Sequence, residues 1–218
     1  FGPAAVVVRV GRDEKQKDFA VHTDLLRSRS PFFKASLSVS WAEPGDNMVP
    51  LPGDDPKTFQ LYCKWLYYGE LSSRSDVDLH DMFEEWDNLL RSFVLADKIL
   101  DSVFEDRIVD AILENAQATA YGGRSHQLGY QAPKIIYTVA QVDAPARRML
   151  IDIAVHCWTD GDSKLACNWH VAQYPEFVED LSFALAKLRG GGRSVVPWEG
   201  DTCRYHRHVS LNKPCYTK

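Results

Sequence analysis

Two thiols and two imidazoles stand near the end of the chain. The pattern Cys203-x2-His206-x-His208-x6-Cys215 sets four metal-type donors within thirteen residues. Zinc takes four such ligands in a tetrahedron, and a His pair two apart projects to one side of an extended segment. The spacing is neither that of the two-Cys, two-His finger nor that of a four-cysteine ribbon. Apolar residues around it are few, mainly Val195, Val196, Trp198, Tyr205, Val209 and Leu211. So short a segment needs a staple to fold by itself, and a metal ion is one. The expectation is a zinc ion on Cys203, His206, His208 and Cys215. The bland reading is a polar tail partly ordered by Trp198 and Tyr205 packing back.

Other constellations carry less chemistry. His22, with Asp24 and Ser30 near it in sequence, has the makings of a base, but no Gly-x-Ser-x-Gly elbow accompanies it. It falls at a strand-to-helix corner, where a histidine orders the turn. Cys167 and His170 lie three apart with no third group to orient them, and Cys157 falls on an apolar stripe and reads as core. The acidic run Asp76, Asp78, Asp81, Glu84, Glu85, Asp87 lacks the glycine and spaced oxygens of a calcium loop, so it reads as a solvated face. Gly122-Gly123-Arg124 lacks the Lys-Ser/Thr ending of a phosphate loop. Trp41, in a loop after a helix, is either a partner contact or a ring tucked under that loop. No catalytic residue and no enzyme are expected. Two alternatives are a zinc-dependent or thiol enzyme built on the terminal Cys/His cluster and a transcription-associated factor. For the latter, Arg204, Arg207, Lys213 and Lys218 are too few for strong phosphate binding.

Composition narrows the classes further. At 218 residues, 45% apolar and 25% charged, the chain has material for a packed core and is not disordered throughout. Net charge is −5, and the first 120 residues hold 13 Lys/Arg against 21 Asp/Glu. That acidic half argues against a nucleic-acid partner, which selects for a basic face. No apolar run approaches the ~18 residues of a membrane helix, so no membrane partner is expected. The five cysteines (Cys63, Cys157, Cys167, Cys203, Cys215) are odd in number and widely spaced. They read as free thiols of a reducing compartment, giving an intracellular protein, cytoplasmic or nuclear. Phe1-Gly2-Pro3 shows no basic-then-apolar leader and is expected to be a trimmed start.

The elements that must position these residues follow from periodicity and punctuation. Ala5–Val10 is β-branched and stops at Gly11; Phe19–His22 resumes after a polar turn, making a hairpin. Thr23–Ser28 reads as a short helix capped by Thr23. Ser30-Pro31 signals a sharper start for Pro31–Val39, because Ser accepts an orphan N–H and Pro surrenders a donor that had no partner. Met48–Leu51 reads as an edge strand because it contains Pro50. Asp54-Asp55-Pro56 opens a helix with Phe59, Tyr62, Cys63 and Leu66 on one stripe, and Gly69 ends it. Ser72–Asp78 is a loop, Leu89–Leu100 a helix, and Ser102 is expected to cap Val103–Glu114. Strands first and helices after them indicate an α+β domain.

Four ordered blocks carry a resemblance: Phe19-Ala20-Val21-His22-Thr23-Asp24-Leu25-Leu26, Ser30-Pro31-Phe32-Phe33, Leu51-Pro52-Gly53-Asp54-Asp55-Pro56-Lys57-Thr58-Phe59 and Trp65-Leu66-Tyr67-Tyr68-Gly69. Together with Ala96–Asp101 they resemble the BTB/POZ domain, in the variant abundant in filamentous fungi, over residues 5–115. The resemblance implies a three-stranded sheet packed with a helical cluster and a protein–protein interaction role without catalysis. It also implies homodimerisation through the first strand and first helix, here Val6, Thr23, Leu26 and Arg27. A further implied role is that of adaptor docking on a cullin scaffold of a ubiquitin ligase. Core and register are expected to rest on Phe19, Val21, Leu25, Leu26, Phe33, Phe59, Trp65 and Leu66.

Beyond that core the pattern is helical. Thr119–Gln131 reads as a surface loop and Lys134–Gln141 as a short helix. Asp143 is expected to cap a helix with Leu150, Ile153, Ala154, Cys157 and Trp158 on one face. Thr159–Asp162 is a break. Pro175 opens a helix with Phe177, Leu181, Ala184, Leu185 and Leu188 on one stripe, and Gly190–Gly192 is a hinge. The expected fold is thus an α+β BTB/POZ-like domain at 1–118, an all-helical extension at 119–190 and a Cys/His tail at 191–218 stapled by zinc.

Overall fold

Strict alternation along the first strand, β1 (Ala5–Val10), buries Val6, Val8 and Val10 on one face. The computed structural model describes residues 2–39, 48–71, 79–122, 131–158, 173–188 and 196–217, with backbone alone at 39, 79–84 and 118–122. β1 pairs antiparallel with β2 (Lys17–His22), Ala5 opposite His22, and parallel with β3 (Met48–Leu51), Val7 opposite Met48. The order β2-β1-β3 puts the proline-bearing strand at an edge, where the N–H that Pro50 lacks costs no ladder bond. Gly11 leaves β1 at φ +87, donating its N–H to the Leu51 carbonyl. A Cβ there would lie 3.0 Å from the Lys15 carbonyl oxygen, so the turn needs glycine.

Helices α1 (Thr23–Arg29) and α2 (Pro31–Val39) carry the chain from β2 toward β3. Thr23 does not cap α1. The cap position is His22, with no side-chain bond, and the Thr23 N–H is instead taken by the Ala4 carbonyl at 3.0 Å. Ser30 does cap α2: its Oγ accepts from the Phe33 N–H at 3.1 Å and donates to the Ile99 carbonyl. In α3 (Pro56–Tyr68) the Asp55 carboxylate takes the N–H groups of Lys57 and Thr58, and Gly69 closes the helix in the left-handed region at φ 71.

The helix expected at Leu89–Leu100 is longer: α4 runs Leu79–Ile99, and Leu100 ends it at φ 59. α5 (Ser102–Gly122) is capped by Asp101 rather than by Ser102. The Asp101 Oδ1 accepts the Phe104 N–H at 3.0 Å while Oδ2 accepts the Tyr62 hydroxyl at 3.1 Å. Burial raises the Asp101 carboxyl above 3.8, outweighing those hydrogen bonds and the Arg29 charge, so its ionised form costs the fold. A raised acid contributes stability below its unfolded value and loses it as pH climbs through the folded one. Asn keeps the cap and carries no charge. Asp101→Asn should therefore gain on the parent chain as pH rises from about 3 to about 7, read by urea unfolding at each pH.

Contacts divide the chain into two compact units, Phe1–Ser72 with Arg91–Glu105, and Ser73–Leu90 with Asp106–Lys218. The division falls inside α4 and α5 rather than at residues 118 and 190. In the first unit an aromatic series runs from Phe19 to Phe59 (5.1 Å between centroids), Phe59 to Tyr62 (5.8 Å) and Tyr62 to Phe104 (4.9 Å). Phe33, Phe59, Tyr62 and Phe104 are fully buried, Trp65 and Leu66 nearly so, and Phe19 is half-buried.

In the second unit, α6 (Ala132–Val139), α7 (Pro145–Cys157) and α8 (Pro175–Leu188) pack around Ile136, Leu150, Ile153 and Phe177. Asp143 does not cap α7. It sits at φ 63, and Ala144 holds the cap position with no side-chain bond. On α8 only Phe177 of the expected stripe is buried; Leu181, Ala184 and Leu188 are half-buried and Leu185 is exposed. Expectations for Trp41, Ser72–Asp78, residues 123–130, Thr159–Asp162, Cys167, His170 and Gly190–Gly192 lie outside the described residues.

Candidate metal centre

The tail is built on two aromatic anchors of the second unit. Trp198 and Tyr205 are both buried, and the Tyr205 hydroxyl donates to Asp152 Oδ2 at 2.6 Å. Tyr205 belongs to a 3-10 turn, Cys203–Tyr205, whose first N–H is held by the Asp201 carboxylate. One residue later a single helical turn, α9 (Arg207–Ser210), begins. Asn212 then takes a positive φ of 51 and the Lys213 N–H returns to the His208 carbonyl, which turns the chain back toward Cys215.

That path brings the four expected ligands together. One donor atom from each of Cys203, His206, His208 and Cys215 lies within 4.8 Å of all the others. His206, His208 and Cys215 are buried and Cys203 is half-buried. The two sulfurs are 3.7 Å apart. With Zn–S bonds of about 2.3 Å, two thiolates at tetrahedral corners stand about 3.7 Å apart, so the pair already has the spacing of that edge.

Two carboxylates one turn apart on α5 orient the imidazoles. Asp110 Oδ1 meets His206 Nε2 at 2.8 Å, and Asp106 Oδ2 meets His208 Nδ1 at 2.7 Å. Asp106, itself buried, also takes the N–H groups of Arg207 and His208. Asp110 also accepts from the Tyr216 hydroxyl. Each ring thus has one nitrogen committed to a carboxylate and one left over: Nδ1 of His206 and Nε2 of His208. The His206 Nδ1 is buried without a hydrogen-bond partner. A nitrogen in that state is costly unless something such as a cation takes its lone pair.

Electrostatics follow from the same contacts. Burial opposes charge on His206, but Asp110 and then Asp106 outweigh it and raise the imidazole above 6.5. Burial likewise opposes the Cys215 thiolate. The Thr217 hydroxyl and N–H, then the Cys203 thiol and the neighbouring His206, outweigh it and bring Cys215 to about 7. Cys203 rises to about 11 through burial and the adjacent Cys215 sulfur. Burial also pushes Cys63 to about 12 and Cys157 to about 11, which leaves Cys215 the most readily ionised of the described thiols.

Sequence reasoning named the four candidate donors but missed Asp106 and Asp110. The signal was there: two acids at i and i+4 share a face on a helix whose Phe104, Ile108, Ala111 and Ile112 turn inward. His22 orders its turn, its N–H and ring Nδ1 both meeting the Tyr67 hydroxyl, at 3.1 and 2.6 Å. Of the four residues assigned to a dimer face, Val6, Thr23 and Leu26 are buried within the first unit and only Arg27 is exposed. The resemblance implies an interface there, but in this chain these three side chains fill the unit's own core.

No family model matches the chain, and no curated protein does. Among the described residues no helix is long and apolar enough to cross a membrane.

Proposed function

We propose that this chain is a non-catalytic protein-interaction module, BTB/POZ-like in its first unit, whose C-terminal tail is held by a structural zinc ion. The convergence of four donors, with a carboxylate on the far nitrogen of each imidazole, carries the metal part of the reading. Two thiolates and two neutral imidazoles cancel the charge of one Zn²⁺ and fill its tetrahedron. No position is then open for a water or substrate, which favours a staple over a Lewis acid. A three-stranded sheet in mixed α+β architecture supports the module reading, since it is what the BTB/POZ resemblance implies. Homodimerisation and recruitment to a cullin scaffold belong to this reading through the resemblance, with any dimer face drawn from surface other than Val6, Thr23 and Leu26. Zinc thiolates and free cysteines fit a reducing compartment, cytoplasm or nucleus.

Elemental analysis of the full chain, purified without chelator, tests the metal. One zinc per chain is expected, and cobalt in its place should show the visible bands of a tetrahedral site with sulfur ligands. Asp110→Asn should weaken zinc binding by about 10–100-fold with all four ligands still present. A chain free of zinc that also fails to take up cobalt stoichiometrically would defeat the reading.

A further inference from the structure

We propose that the Cys203–Cys215 pair is a redox modification site, at which a hydroperoxide converts the two metal-binding thiolates into a disulfide and frees the ion. The proposal rests on the structural-zinc reading and names the regulation of that site. Both cysteines lie in the second unit, with their sulfurs 3.7 Å apart. Closing that gap to the roughly 2.05 Å of a disulfide asks each sulfur to move about 0.8 Å, which rotation about the side-chain torsions can supply.

The backbone keeps the two sulfurs adjacent by bonds of its own. The His206 N–H returns to the Cys203 carbonyl at 3.0 Å, the Leu211 N–H to that of Arg207 at 3.2 Å and the Lys213 N–H to that of His208 at 3.0 Å. Access is one-sided: Cys203 is half-buried, while His206, His208 and Cys215 are buried. A small oxidant therefore meets Cys203 first, and Cys215 stands behind it as the resolving thiol. An accessible thiolate beside a second one is the arrangement of redox-sensing cysteines. Cys157 turns its Sγ to the Ala116 carbonyl at 3.8 Å and Cys63 belongs to the first unit, so Cys215 is the partner in contact.

Metal coordination keeps both sulfurs as thiolates. The Cys203 sulfur attacks the terminal peroxide oxygen, the O–O bond breaks, and the other oxygen leaves with the electron pair and takes a proton from solvent. Cys203 is then a sulfenic acid. The Cys215 thiolate attacks the Cys203 sulfur; the S–S bond forms and the S–O bond breaks, releasing hydroxide that a second solvent proton turns to water. Two thiolates have thus given two electrons to one hydroperoxide, with no change in the oxidation state of the metal. Half of the donor set no longer ligates, and two neutral imidazoles hold a dication too weakly to keep it. The buried His206 Nδ1 is left without a partner, a cost that reduction and zinc rebinding remove.

The test treats the zinc-loaded full chain with a small excess of hydrogen peroxide and follows zinc release to a chromogenic chelator, free thiols in denaturant and the tryptic peptide map. One zinc per chain should be released while the free thiols fall from five to three. Trypsin cuts after Arg204 and Arg207, between the two cysteines, so the product should appear as two peptides joined through Cys203 and Cys215. A dithiol reductant with added zinc should restore both thiols and metal. Cys203→His, which keeps a fourth zinc-type donor but no second thiolate, should release zinc at least about tenfold more slowly. Whether or not that variant loads with zinc, the thiol count and peptide map of the parent chain decide the matter. Zinc retained under peroxide, release with sulfinic acid at Cys203 in place of a disulfide, or a link from either cysteine to Cys63, Cys157 or Cys167 overturns the proposal and leaves the structural-zinc reading standing. A chain that takes up no zinc at the outset overturns both.

Discussion

Removing zinc with a strong chelator should lower the thermal midpoint of the second unit by about 8–16 °C. A ligand that binds only the folded state at a thousand times its dissociation constant stabilises by about 4 kcal/mol. For a chain of this size each kcal/mol moves the midpoint by about 2–4 °C. The tail has little else to hold it. Trp198 and Tyr205 are its large buried side chains, and its remaining anchors are the hydrogen bonds to Asp106, Asp110 and Asp152. Without the ion, a buried imidazole nitrogen and two adjacent sulfurs face one another with no cation between them. Calorimetry with and without chelator, followed by zinc add-back, checks this. Hydrogen exchange should locate the loss at residues 196–217. A midpoint that chelation leaves in place would show that the tail needs no staple.

Phe59→Ala should cost the first unit about 3–5 kcal/mol, the range for emptying a fully buried aromatic site. Phe59 has no exposed surface and lies among three rings, at 5.1 Å from Phe19, 6.4 Å from Phe33 and 5.8 Å from Tyr62. These neighbours come from β2, α2 and α3, so one cavity loosens three elements, and their rotamers are set by one another rather than free to collapse inward. The edge-to-tilted ring geometry adds to the loss beyond area alone. Urea unfolding should show a lower midpoint concentration with an unchanged slope. Phe59→Leu, which refills most of the space, should cost clearly less. Equal stability of the alanine variant would mean that this ring cluster does not organise the unit.

Local rules were readable one residue at a time. Alternating valines declared β1, Pro50 declared an edge, and Ser30-Pro31, Asp55-Pro56 and Gly69 marked helix ends that the structure places within a residue of expectation. Where two neighbours could both serve, the local rule failed. Asp101 caps α5 instead of Ser102 because only Asp101 also receives the Tyr62 hydroxyl, a partner 39 positions away. The first ten residues of α4 were hidden because their acids masked the apolar period. The resemblance put Val6, Thr23 and Leu26 at an interface, whereas this chain buries them in its own first unit, which likeness of motif alone does not reveal.

The donor set is likewise divided between the two levels. Residue type and the 203–215 spacing put four metal-type donors close along the chain, but an extended segment of that length could still hold its ends about 40 Å apart, so it took the turns of the fold to bring the donor atoms within 4.8 Å. Which nitrogen of each ring is free was decided only by α5, whose Asp106 and Asp110 stand about a hundred positions upstream and claim the opposite nitrogens. Whether the α8 stripe is core or surface was settled in the same way, by what packs against it. Covalent proximity can be read from order; burial and tautomer depend on groups that meet only when the chain has closed on itself.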